Sequence, residues 1–172
     1  MTAKNEKIPM RGFSQSLPMA LLRAREAVMR RFRPGLRRRG VTEQQWRILR
    51  ALAHSGPLEV TALAESTFLL APSLSRILPD LEARGLISRR QLDCDLRRAV
   101  VGLEPGGLKL IAAHAPDSEE IYDAIARSFG RERLDQLFTL LRELEETLAA
   151  QTADSGKQRP GARSAVRKRA AR

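Results

Sequence analysis

The sequence offers little for bond-making chemistry. Two histidines, His54 and His114, stand apart from one another, and one cysteine, Cys94, lies between Asp93 and Asp95. No His, Cys or carboxylate set has metal-ligand spacing and no nucleophile sits beside a base, so neither a metal centre nor an enzyme is expected. The flanking carboxylates raise a thiol pKa, which opposes a redox sensor at Cys94, and a lone cysteine excludes an internal disulfide framework. What the chain has is arginine. Lys and Arg number 31 against 20 Asp and Glu, a formal charge of +11 in 172 residues. Guanidinium chemistry is recognition: forked hydrogen bonds to phosphates, carboxylates and base edges.

That charge is sorted along the chain. Residues 13–103 carry a balance of +8, residues 104–156 a balance of −6, and residues 157–172 hold seven basic and no acidic residues. A basic front and an acidic back suit a polyanion-binding face; the plainer reading is a solvated basic surface. Aromatics at 4% argue against base stacking on rings, as in single-strand grooves. A hydrophobic fraction of 42% fills one core. With no long apolar run and no apolar leader, a cytoplasmic protein is expected, with no membrane partner and no cofactor.

The elements that must position the arginines can be read from periodicity. A first helix is expected from about Ser16 to Arg33, capped by Ser16, with Leu17, Leu21, Val28 and Phe32 on one apolar face; Pro34-Gly35 disturbs it, with a run-on through Arg37, Arg38 and Arg39. Thr42 and Gln45 have capping-box spacing and start a second helix, with Trp46, Leu49 and Ala53 as its buried stripe, flanked by Ile48 and Leu52. A third runs from Glu59 to about Ser66. A fourth, from about Pro72 to Arg84, buries Leu74, Ile77, Leu78 and Leu81, offers Ser73, Ser75, Arg76 and Asp80 on its other side, and ends at Gly85 as C′ residue. Residues 86–90 and 99–103 then read as two strands around a polar tip, Gln91 to Arg98, carrying Asp95, Arg97 and Arg98.

Two helices joined by a turn, followed by a hairpin with a basic tip, make a winged helix-turn-helix. The remainder reads as helix from Pro105, with a break or kink at Pro116. Leu134, Leu137, Leu141, Leu144 and Leu148 then form an a/d seam that wants a partner helix. The fold class is therefore mainly α (α+β). Its parts are a flexible arm (1–15), a DNA-binding winged core (41–103), helical dimerisation regions (16–40 and 104–150) and a disordered basic tail (151–172).

The runs LLRAREAVMRRFRP, TEQQWRILRAL, LSRILPDLEARGLISRR and DLRRAVVGLEPGG resemble the MarR family of dimeric bacterial regulators, and the first two most resemble its homoprotocatechuate-operon subgroup. The resemblance spans roughly Leu17 to Leu148. It implies that Ser73, Ser75 and Arg76 enter the major groove of double-stranded DNA, with Arg76 as the main base reader. A phosphate contact, or an ion pair with Asp80, is the alternative for Arg76. It further implies that Arg97 enters the minor groove with Asp95 holding its orientation, and that Arg89, Arg90 and Arg98 contact phosphates. The alternative for Asp95 and Arg97 is a solvated hairpin tip. Pro79 is uncommon in such a recognition helix.

The resemblance also implies a homodimer on a pseudo-palindromic operator, repressing by blocking polymerase and released by a small aromatic carboxylic acid. Homoprotocatechuate-type catechols, hydroxylated nicotinic acids and cinnamic acid derivatives are all candidates. Arg25 and Trp46, with Ser16, Met29 and Phe32 nearby, are the candidate ligand residues. Trp46 reads more readily as core, and Arg25 as a bridge between subunits through Glu26 or Glu43. From a different class, a non-specific architectural protein driven by the basic tail and the Arg-rich first helix would bind DNA regardless of base order.

Overall fold

The computed structural model describes residues 12–92 and 95–157, and the side chains among them except those of residues 14, 92, 95–97 and 153–157. Two compact units divide between Ile121 and Tyr122. In the first, a 3-10 turn at Phe13–Gln15 leads into α1 (Leu17–Arg38), α2 (Glu43–Ser55), β1 (Leu58–Glu59), α3 (Val60–Thr67), α4 (Ala71–Ala83), β2 (Ile87–Leu92), β3 (Asp95–Leu103) and the first part of α5 (Pro105–Phe129). The second holds the rest of α5 and α6 (Arg131–Lys157).

The expected winged core forms. Thr42 Oγ1 accepts from the Gln45 N–H at 3.2 Å and Gln45 Oε1 accepts from the Thr42 N–H at 2.8 Å, so the capping box closes in both directions. The buried stripe of α2 is Ile48, Leu49 and Leu52, rotated from the expected one: Ala53 is exposed and Trp46 half-buried. It packs with Leu63, Leu69, Leu74, Leu78, Leu81, Ile87 and Val101 into one apolar cluster. Arg47 on α2 donates to the Thr67 carbonyl at 2.8 Å, which ties the end of α3 to α2 before the turn into α4. Gly85 follows α4 with φ +64°, the left-handed residue expected there.

The sheet has three strands, not two, in the order β1-β3-β2, all antiparallel, and the strands run further into the tip than expected. A shift between Gln91 and Leu92 lets β2 and β3 continue to a Leu92–Asp95 pairing. Two-residue β1, with Leu58 opposite Val101 and Glu59 opposite Val100, is too short to show a period of its own. Close approach of α5 to the turn after α4 requires glycine. A Cβ at Gly106 would lie 2.5 Å from the Gly85 carbonyl oxygen, and one at Gly107 would lie 2.6 Å from Leu103 Cδ1.

Several helix boundaries depart from expectation. The helix is unbroken at Pro116, where a break or kink was expected; α1 runs on past Pro34 to Arg38, as expected, and α4 continues through Pro79. Each proline and the residue four before it (Arg30, Ser75, Ala112) are exposed, so water can take the carbonyl left without a donor. Ser16 makes no side-chain capping bond; Pro18 removes one of the two N–H groups a cap could hold. Of the expected α1 face only Phe32 is buried, while Leu17, Leu21 and Val28 are exposed. The helix α6 runs seven residues past Ala150 into the segment expected as tail, through strong helix formers such as Ala149, Ala150 and Gln151, and Thr152 Oγ1 donates back to the Leu148 carbonyl at 2.9 Å. The tail beyond Lys157, most of the N-terminal arm, and Cys94 lie outside the described residues.

Candidate nucleic-acid interface and effector site

On α4 the three positions expected in a groove differ in freedom. Ser73 is half-buried, whereas Ser75 and Arg76 are exposed. Ser75 Oγ donates to the Ala71 carbonyl at 3.0 Å, and Arg76 Nε reaches only the Pro72 carbonyl at 3.4 Å. The alternative ion pair between Arg76 and Asp80 does not form. Asp80 instead accepts from Gln45 Nε2 at 2.7 Å and pairs with Arg84 at 3.4 Å. Arg76 has no carboxylate partner among the described residues, so its charge faces solvent.

The wing arginines are not equivalent. Arg89 is forked onto Glu82 of α4, with Nε to Oε2 at 2.8 Å, and its own N–H donates to Oε1 at 3.2 Å. That guanidinium holds the Glu82 carboxyl below the usual carboxylate range. Arg98 is forked onto Glu59 of β1, with Nε to Oε2 at 3.0 Å and a second bond from Nη2 to Oε1. Arg90 is exposed and, like Arg76, has no carboxylate partner among the described residues. The side chains of Asp95 and Arg97 lie outside the described residues. Sequence reasoning treated these arginines alike and missed Glu82 and Glu59, whose distance along the chain gave no local signal.

The candidate effector residues lie on α1 and α2. Met29, Trp46 and Ser16 are half-buried and Phe32 is buried. Arg25 is already engaged within its own chain, pairing with Glu26 at 3.1 Å and with Glu43. Arg33 spans the same two acids, with Nη1 at 2.8 Å from Glu26 and Nη2 at 3.1 Å from Glu43. The Arg33 hydrogen bond depresses the Glu26 carboxyl pKa. Trp46 and the His114 imidazole form a T-shaped pair, with centroids 4.7 Å apart and planes at 88°.

His114, which spacing alone left isolated, is fully buried between α1, α2 and α5. Arg39 Nε donates to its Nδ1 at 3.4 Å while Arg39 Nη2 holds Asp117 at 3.1 Å, and Arg38 also pairs with Asp117 at 3.3 Å. Burial pushes the imidazole below the ordinary histidine range; Arg39 and Arg38 push the same way and Asp117 opposes them.

A three-helix core, a hairpin wing and an arginine-bearing face on the second helix of a helix-turn-helix define a winged-helix DNA-binding protein. Residues 39–98 match the family model described as MarR family. The chain is 41% identical over 137 residues to the HTH-type transcriptional regulator FarR of Neisseria gonorrhoeae, covering 80% of this chain and 94% of that one. It is also 41% identical over 128 residues to the homoprotocatechuate degradative operon repressor of Escherichia coli, covering 74% and 86%. Among solved structures, NadR in complex with 4-hydroxyphenylacetate superposes with a TM-score of 0.69 at 41% identity, covering 80% and 97%. The chain belongs to the MarR family and is a MarR-type transcriptional regulator.

Proposed function

We propose that the protein is a homodimeric, sequence-specific repressor that holds a pseudo-palindromic operator and releases it when a small aromatic carboxylic acid binds, controlling an aromatic-compound catabolic operon. The observation that carries the DNA half is the exposed guanidinium of Arg76, unspent on the outward face of α4 while Arg84, Arg89 and Arg98 are each held by a carboxylate. Exposed Ser75 and half-buried Ser73 flank it on the same helix, and Arg90 is a wing residue with no carboxylate partner among the described residues, available to meet a phosphate. Arg89 and Arg98 serve first as struts that fix the wing to α4 and β1. Arg97 in the minor groove, steadied by Asp95, completes the reading head.

The effector half is supported by relatives at 41% identity, one named for homoprotocatechuate degradation and one bound to 4-hydroxyphenylacetate. Aromatic acids of that kind are the first class to test. Their apolar slot is drawn from Met29, Phe32 and Trp46, with Ser16 and Arg25 at its margin. The homodimer is supported by apolar side chains left in solvent on each unit: Leu17, Leu21, Leu22 and Val28 on α1, and Leu137, Phe138, Leu140, Leu141 and Leu148 on α6.

Fluorescence anisotropy on the duplex upstream of the protein's own gene, beside a scrambled duplex at fixed physiological salt, tests this reading. A preference of about 10³-fold or more for the native duplex, abolished by 4-hydroxyphenylacetate or a related acid, is the expected result. Equal binding to both duplexes would overturn it in favour of an architectural DNA-binding protein.

A further inference from the structure

We infer that His114 is a specificity-determining residue of the effector site, whose Nε2–H donates a hydrogen bond to the effector's carboxylate. This rests on the reading above that an aromatic acid is the effector. Because Nδ1 accepts from Arg39, the proton of the neutral imidazole resides on Nε2. That nitrogen is buried and has no hydrogen-bond partner among the described residues. A buried donor left unmade is costly, and a ring held this firmly is not kept in place by accident of loose packing. Gly35 is pressed so close that a Cβ there would sit 2.9 Å from His114 Cε1, and Arg39 grips the opposite nitrogen.

Three features point to a carboxylate. First, Arg25 already answers two acids, Glu26 and Glu43, so admitting a third to it means breaking an existing pair. Second, burial first and the Arg39 and Arg38 charges after it keep the imidazole neutral, and those two guanidiniums offset part of the cost of bringing a carboxylate into a buried site; Asp117 opposes them and is itself held by both arginines. Third, the neighbour packed on the ring is Trp46, half-buried, with its remaining surface toward solvent. His114 has no exposed surface, so an aromatic acid reaches its Nε2 only if Trp46 moves aside, and the ring of the acid then takes up the apolar contact that the indole gives up.

His114 also joins the two halves of the first unit's machinery. It lies against α1 through Gly35 and Arg39 and against α2, a helix of the winged core, through Trp46. A carboxylate bonded to Nε2 would therefore act on the contact that sets the winged core against the end of α1. This gives effector binding a route to the DNA-reading face that needs no contact with α4.

The test uses the full-length protein, which has one tryptophan and two histidines. Trp46 fluorescence is titrated with 4-hydroxyphenylacetate and with its uncharged amide in the wild type, His114→Gln and His114→Leu. The expected result is a loss of about tenfold to hundredfold in affinity for the acid in His114→Leu, largely restored in His114→Gln, with a smaller loss for the amide, whose carbonyl accepts the same bond without the charge. In parallel, imidazole nitrogen resonances of the wild type are followed by NMR, which keeps the question open to decision even where a variant fails to fold. The expected sign is an Nε2-protonated His114 whose Nε2–H shift moves on adding the acid. Release of the operator by the acid with an unmoved Nε2 resonance, or equal loss for acid and amide, overturns the assignment and leaves the effector reading standing. Absence of any acid-induced release or fluorescence change overturns both.

Discussion

Each arginine of this protein is worth what its neighbours leave of it. A guanidinium forked onto a carboxylate in the folded chain has to break that pair before it can neutralise a phosphate; an unpaired one does not. Arg76 and Arg89 are the clearest contrast, since both were expected to meet DNA but only Arg89 is held by a carboxylate, that of Glu82. Replacing Arg76 with alanine is expected to weaken operator binding by about tenfold to hundredfold, as removal of a bidentate base contact does, with a smaller loss on a scrambled duplex. Arg89→Ala is expected to cost less on the native duplex. Anisotropy of both variants at one salt concentration checks the ranking, and a larger loss for Arg89→Ala would reverse it. The residue types were legible in the sequence, and so was the likeness of Arg76 to a base reader. Which arginines were free was not.

At the scale of elements, the most legible feature was the start of α2. Thr42, Gln45 and the apolar run behind them form a local signal, and a local signal is what a capping box is. Gln45 takes on a second task by donating to Asp80, so the same side chain that starts α2 also anchors it to α4. Thr42→Ala is expected to lower stability by about 1 kcal/mol, read as a lower midpoint in thermal or urea unfolding, with Thr42→Ser close to wild type. The elements that escaped sequence reading share one cause: β1 has two residues and exists only because β3 offers it an edge. The continuity of α5 through Pro116 likewise depends on that stretch lying on the surface, where a carbonyl without a donor can be hydrated.

For the whole molecule the open account is apolar surface. The seam on α6 leaves Leu137, Leu141 and Leu148 in solvent, and α1 exposes four large aliphatic side chains of its own. A second copy of the chain is the partner that this surface proposes. Leu141→Glu is expected to shift the protein toward monomer in analytical ultracentrifugation, to make thermal unfolding less dependent on protein concentration, and to weaken operator binding by removing the second reading head. A monomeric wild type would refute the dimer and, with it, the expected half-site spacing of roughly 34–36 Å.

Periodicity, capping residues and turn signals are local, and they were enough to order the helices, the turn and the wing and to place a cationic helix face outward. They were also enough to carry the likeness to the MarR family. Pairing across elements is different, because it depends on packing that no short pattern encodes. Glu82 meets Arg89 over a separation of seven residues, Glu59 meets Arg98 over 39, and Arg39 meets His114 over 75. A histidine with no neighbours of its kind in the chain thus became, once α1 and α2 closed around it on α5, a buried imidazole whose Nε2 meets no hydrogen-bond partner among the described residues.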